Sequence, residues 1–360
     1  MVRNDLNFAQ KDTKQALIIG AGIAGLLAAR VLSNYYENVL IVERDVFPEH
    51  MEARAGVPQA FHVHRLLPRG KMILEGLFPG YVDELIAAGG YQVQGKMARL
   101  VNPNGLNTLY QPEKDASCSR ALLEWEIRQR VQALPNISFL SNKDVIGLQG
   151  DPDGDRISGI YLREHGQLDE RTAVSADLVV DASGRTSKLS QWLRDLGYAV
   201  PSEAQVKANI GYSTRYYKAS PELMDTVGTL VIDELPLEKK SGVGIIPIEN
   251  NTLWVTLFST GGKYPSTDAK GFEQEIAHLD RLGGELAARL KEAEALTLPP
   301  IAIFNAPTFS LLLDFEAASE GPQVLHELVE RYQLPPAEIL EKIVPTFSLQ
   351  FDVFSRNKAS

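Results

Sequence analysis

The sequence predicts an α/β fold, on three observations. Residues 16–44 read ALIIGAGIAGLLAARVLSNYYENVLIVER: an apolar strand, a glycine turn, a small-residue helix and a second strand ending in acid. Residues 178–187, LVVDASGRTS, deliver another strand into a glycine-containing turn. Runs within 137–178 and 205–260 alternate apolar and polar side chains with the period of two expected of half-buried antiparallel strands. Together these describe a Rossmann-type unit with a β-meander, followed by a mixed domain containing an antiparallel sheet.

The first unit carries chemistry as well as architecture. Gly20, Gly22 and Gly25 form GxGxxG between strand and helix. Gly20 permits the tight turn, Gly22 lets backbone approach a pyrophosphate, and Gly25 lets the helix pack close to the sheet. The helix N-terminus then offers its free N–H groups to the phosphates. Glu43 ends the second strand, where a carboxylate accepts hydrogen bonds from an adenosine ribose. The same carboxylate repels a 2′-phosphate, so FAD or NAD fits better than NADP.

Composition narrows the remaining classes. The formal charge of −10 argues against nucleic acid or an anionic membrane surface as main partner. The longest apolar stretch, residues 17–29, is broken by glycine and too short for an integral membrane segment. It also lacks the flanks of a signal peptide. Cys118 is the single cysteine, so no intramolecular disulfide forms and a reducing, cytoplasmic setting is expected. The sequons at Asn136 and Asn250 are then accidental.

Along the chain, residues 1–14 are polar and expected to be loose. A loop rich in Pro, Gly, His and Arg covers 45–67, and helical patterns follow over 68–77 and 82–88. Short strands are expected near 91–94, 98–101 and 108–110. Ser119 caps a helix through ALLEWEIRQRVQAL. Asp151-Pro-Asp-Gly-Asp155 fails the EF-hand spacing and reads as a hairpin turn. A helix is expected to begin near Ser187, and others to cover 267–279 and 284–293. The domain boundaries expected are 15–200, with 45–110 contributing to the cofactor side, then 201–300 for the substrate and an atypical tail over 301–360.

Several segments, in order, resemble FAD-dependent monooxygenases of the para-hydroxybenzoate hydroxylase type. They are GAGIAG, the strand ending VER, RAGVPQAFHVHRLL, SRALLEW, DASGRTS and the strands around GIIPIENNTLWVTLF. The resemblance covers about residues 15–298 and implies FAD as cofactor, NAD(P)H as co-substrate and a small organic substrate. It implies that Gly20, Gly22 and Gly25 hold the pyrophosphate, Glu43 the ribose, and that Arg44 lies beside the adenine. Arg120 is similar to an arginine reaching the phosphates or ribityl chain; a solvated first-turn arginine is the other reading. Val145, ending a strand, meets the adenine through its backbone, and Asp181 and Gly184 lie near the pyrophosphate. Gln59, His62 and His64 belong to a loop that faces the flavin in similar proteins. His62 and His64 supply two of the three or four ligands a metal needs, so no metal site is expected. A structural loop role and an orienting or proton-transfer role both stay open for them.

The family's late Gly-Asp turn, whose Asp binds the ribityl chain, is missing from this sequence. Gly-Asp occurs at Gly150-Asp151 and Gly154-Asp155, far upstream. Residues after Pro300 read as an apolar run and then an amphipathic pattern around VLHELVERYQL. Truncation or rearrangement, a diverged solution, and a partner or oligomer covering the incomplete flavin side are three open explanations. The function expected is an FAD-dependent oxidoreductase, foremost a monooxygenase acting on an aromatic or polyketide-like substrate with NAD(P)H and O2. A flavin dehydrogenase or reductase, or a degenerate FAD-binding protein without turnover, are the alternatives. A halogenase is disfavoured because WxWxIP is absent; Trp125, Trp192 and Trp254 stand alone.

Overall fold

The computed structural model describes residues 14–54, 56–151, 156–168, 171–200, 203–206, 209–233, 241–283, 285–297, 301–306 and 309–312. Its first layer begins with β1 (Gln15–Ile19), α1 (Ile23–Leu32) and β2 (Asn38–Val42). β1 sits between β2 and Leu178–Asp181, and Ile137–Leu140 flanks β2, all in parallel. Ile19 pairs with both Val42 and Asp181. The register therefore brings the glycine turn, Glu43 and the DASGRTS turn to one carboxyl edge, where doubly wound sheets bind ligands.

Burial explains why these strands are continuously apolar. One face of the parallel sheet packs Ile18 and Ile41 against α1 and, beyond it, the helices Tyr81–Ala87 and Arg120–Gln132. The other packs Leu17, Ile19, Leu40 and Val42 against Leu148, Ile160, Leu162 and Val174 of an antiparallel meander. That meander joins Lys143–Gly150, Ile157–Glu164 and Thr172–Ser175. Residues 152–155 of the expected hairpin turn lie outside the described residues, but the strands on either side pair antiparallel as a hairpin requires.

The second body is an eight-stranded sheet. Its central strands Ile210–Lys218, Thr252–Ser259, Ser241–Ile248 and Thr229–Asp233 are antiparallel neighbours. One face carries Leu230, Ile232, Val243, Ile245, Val255 and Leu257 and packs on helices Pro221–Val227 and Ala269–Leu279. The opposite face carries Ile246, Ile248, Trp254 and Tyr216 and packs on Val63 of the histidine loop. The hairpin Met97–Asn102 and Gly105–Tyr110 completes this sheet's edge, pairing parallel with Thr229–Asp233.

Several local expectations shift. Leu189–Asp195 forms the helix after DASGRTS, preceded by a 3-10 turn at Gly184–Thr186. Asp268 accepts from the Gly271 N–H at 2.9 Å, so its helix starts at Ala269 rather than at 267. The helix expected over 284–293 is confined to Leu286–Leu290. Ile301–Ala306 pairs with Ile210–Lys218, and Phe309–Leu312 with Glu203–Val206, so the first part of the tail belongs to the sheets. The amphipathic pattern beyond 312 and the N-terminal segment 1–13 lie outside the described residues.

Candidate functional site

Each glycine of the turn has a distinct steric reason. Gly20 has φ +96°, and a Cβ there would lie 2.6 Å from the Ala182 carbonyl oxygen. Its N–H donates to Val42 O at 2.7 Å, fixing the turn to β2. A Cβ on Gly25 would lie 1.9 Å from Gly20 O, so α1 rests directly on the turn. Gly22 is different: it caps α1 with φ −71°, and nothing lies within 4 Å of its Cβ position. That open position at a helix N-terminus fits a pyrophosphate, which needs approach to backbone N–H groups rather than a side chain.

Glu43 is buried at the end of β2. Its Oε2 accepts the Ala21 N–H at 2.7 Å and pairs with Arg54 at 3.1 Å; Oε1 accepts the Asp45 N–H at 3.0 Å. A carboxylate offers about four lone-pair sites. Oε1 therefore retains acceptor capacity for a ribose hydroxyl, and the residues present fit the adenosine half of FAD. Arg44 is exposed, pairs with Asp45 at 3.0 Å and lines a cleft of about 420 Å³ together with Phe47, Arg54, Asn142 and His165. Val145 lies near the start of its strand Lys143–Gly150, not at its end, because the strand runs on through Gly150. Asp181 accepts from Ser183 N–H at 2.9 Å and from the Ser187 hydroxyl, which closes the second turn, and Gly184 has φ +82°.

Sequence reasoning missed Arg54 and Glu124, which tie these parts together. Arg54 Nη2 lies 2.6 Å from Glu124 and donates to Ala21 O at 3.2 Å, while Arg120 pairs with the other Glu124 oxygen at 3.1 Å. The series Glu43–Arg54–Glu124–Arg120 is buried throughout. Arg120 is thus not a solvated first-turn arginine; burial pushes its guanidinium pKa down, against the opposing pull of Glu124. Its helix is capped as expected, Ser119 Oγ accepting from Leu122 N–H at 3.1 Å. The available signals were the i,i+4 spacing of Arg120 and Glu124 and the arginine opening RAGVPQAFHVHRLL.

The histidine loop is docked on the second sheet. Tyr216 and Trp254 both donate to Phe61 O, at 2.8 and 3.1 Å. His64 Nδ1 meets His62 O at 2.6 Å, and His62 Nδ1 meets Thr214 Oγ1 at 2.8 Å. Gln59 is exposed and contributes its carbonyl to His62 N–H. No group of three or more metal-ligating side chains occurs among the described residues.

Burial lowers the His62 pKa to about 4; burial, then the Arg120 charge, lowers that of His64 to about 4. Between the ordinary value of 6.5 and about 4, the unfolded chain binds more protons than the folded one. Stability is therefore complete above that window and falls as pH drops through it, by about 3 kcal/mol for His62 alone. Urea midpoints are expected to decline across this range, with a shallower decline in His62→Gln. An unchanged slope in that variant would contradict the assignment.

Comparison with known proteins now bears on this site. The family described as FAD binding domain matches residues 13–290. Protein Rv3254 of Mycobacterium tuberculosis (strain ATCC 25618 / H37Rv) is 32% identical over 301 residues, spanning 81% of this chain and 62% of that protein. A flavoprotein/dehydrogenase from Cytophaga hutchinsonii shares the fold at TM-score 0.57 and 18% identity, over 81% of this chain and 66% of that one. The flavin-dependent brominase Bmp2 does so at 0.58 and 19%, over 80% and 66%. A variant of P. aeruginosa PqsL does so at 0.59 and 14%, over 94% and 92%. This chain thus spans less than two thirds of the length of the mycobacterial relative and of the first two of these structures. The match across both sheets, with the glycine turn, Glu43 and DASGRTS at one edge, establishes that the chain belongs to the FAD binding domain family and has the fold of the para-hydroxybenzoate hydroxylase-like flavoproteins.

Proposed function

We propose that this chain is an FAD-dependent monooxygenase that hydroxylates an aromatic or polyketide-like substrate with NAD(P)H and O2. The observation that carries the cofactor part is the unobstructed Gly22 position beside a Glu43 oxygen with spare acceptor capacity. Gly20, Gly22 and Gly25 hold the pyrophosphate, Glu43 the ribose, and Arg44 and the Val145 backbone flank the adenine. Arg120, Asp181 and Gly184 serve the phosphate and ribityl side. When bound, the flavin supplies hydride acceptance and oxygen activation. The chain supplies enclosure: Ile246, Ile248, Trp254 and Tyr216 form an apolar face that Val63 closes, keeping water from the reacting groups.

In this proposal residues 15–200 form the cofactor part and 201–300 the substrate part, with the 97–110 hairpin crossing to the latter's sheet. The proposal includes a cytoplasmic setting, supported by a sequence whose single cysteine cannot form an intramolecular disulfide. Among the described residues no helix is long and apolar enough to cross a membrane.

The test is the visible spectrum of purified protein before and after adding FAD and removing the excess. Stoichiometric bound flavin, with substrate-stimulated NAD(P)H oxidation matched by O2 uptake, is the expected result. Bound flavin that oxidises NAD(P)H without substrate-coupled O2 uptake would favour the dehydrogenase or reductase reading. No retained flavin would overturn the proposal in favour of a degenerate or partner-dependent protein.

A further inference from the structure

His62 meets the second sheet through hydroxyls that can be oriented in few ways. Its Nδ1 lies 2.8 Å from Thr214 Oγ1, which lies 2.7 Å from Thr256 Oγ1. The far end is fixed, because the Val63 N–H donates to Thr256 Oγ1 at 3.2 Å. Thr214, Thr256 and His62 are all buried. Among the described residues, these are the hydrogen bonds the three side chains make.

Three proton arrangements are available. If Thr256 donates to Thr214 and Thr214 donates to His62 Nδ1, every hydroxyl proton has an acceptor. If Nδ1 carries the proton and Thr214 passes its own to Thr256, the Thr256 proton is stranded in a buried site. If Thr214 accepts from both neighbours, its own proton is stranded. A buried donor without an acceptor is strongly disfavoured. The first arrangement therefore wins, and a neutral imidazole accepting at Nδ1 carries its proton on Nε2. The two ring nitrogens diverge, so with Nδ1 aimed at the sheet Nε2–H points away from it. Nε2 has no hydrogen-bond partner among the described residues.

We propose that the Val63–Thr256–Thr214 chain fixes His62 as the Nε2–H tautomer, making it a binding residue that donates a hydrogen bond to an acceptor oxygen of the substrate, a phenolate or carbonyl. The ligand half of this assignment rests on the function proposed above; the tautomer half does not. A site that can donate but not accept at this atom selects an oxygen without a proton to give. His62 thereby acts as a positioning donor, not as a base.

The test uses the full chain labelled with 15N-histidine, with and without FAD. Long-range 1H–15N correlation at pH 7, assigned through His62→Gln, is expected to show neutral His62 protonated at Nε2. Thr214→Val should remove the donor to Nδ1 and shift the resonances towards a tautomer mixture. A predominantly Nδ1–H or doubly protonated ring in the parent protein overturns the tautomer assignment.

For the ligand half, the probe is 4-nitrophenolate, with nitrobenzene as the counterpart lacking the oxygen. The phenolate is expected to move the Nε2 resonance and to bind about tenfold more weakly to His62→Phe, the loss of one hydrogen bond to a charged group. His62→Gln, whose amide can still donate, should restore most of the affinity. Equal binding to the parent and His62→Phe, or an unmoved Nε2 resonance, overturns the acceptor-oxygen assignment. Failure to retain FAD with an intact Nε2–H signal would instead sink only the cofactor reading.

Discussion

Gly22→Val is expected to fold like the parent and to lose FAD. Its backbone, φ −71° and ψ 178°, is open to any L-residue, and no atom lies within 4 Å of the new Cβ. The folded-state cost is that of a poorer N-cap, about 1 kcal/mol. The bound-state cost is larger, because the side chain occupies the ground from which backbone N–H groups reach a pyrophosphate. Losing two charge-assisted hydrogen bonds there amounts to about 3 kcal/mol, or roughly a hundredfold in affinity. Gly25→Val provides the contrast, since its Cβ falls 1.9 Å from Gly20 O and the helix must leave the strand. Circular dichroism with FAD titration separates the two. A folded Gly22→Val protein that retains FAD at parental affinity would falsify the pyrophosphate assignment.

The elements that depend on local pattern were legible in the sequence. GxGxxG, the strand ending in Glu43 and the DASGRTS turn each have a short-range signature, and parallel pairing of Ile19 with Val42 and Asp181 brings them together. Alternation likewise marked the meander, where one face packs on the parallel sheet; the central strands of the second sheet are buried on both faces. What pairs across distance was not legible. Thr229 beside Ala98 and Thr214 beside Ile301 join segments far apart in sequence, and nothing local in either names its partner. The same holds for His62, whose neighbours were unknowable until the strand carrying Thr214 was placed against its loop.

Charge partners are the harder case, and Glu124 shows why the missed residues matter. Glu124 reads as one acid on a helix with mixed polar and apolar positions, yet it neutralises two guanidinium groups. Side-chain exposure is 5% for Arg54, 7% for Glu124 and 8% for Arg120. Glu124→Ala would leave Arg54 with Glu43 as its remaining counter-charge and Arg120 with none among the described residues. Removing one partner of a buried pair costs about 3–5 kcal/mol. That is a large share of the stability of an ordinary domain, roughly 5–15 kcal/mol. Arg120→Met should cost less, since Glu124 keeps Arg54, and adding it to Glu124→Ala should recover part of the loss by removing the stranded charge. Urea denaturation of the two single variants and the double variant gives the coupling directly. Additive losses would mean that Arg120 and Glu124 act independently. A positive recovery would mean that Arg120 and Glu124 are held by mutual neutralisation, with the stranded Arg120 charge accounting for part of the Glu124→Ala loss, while Arg54 keeps its contacts to Glu43 and Ala21.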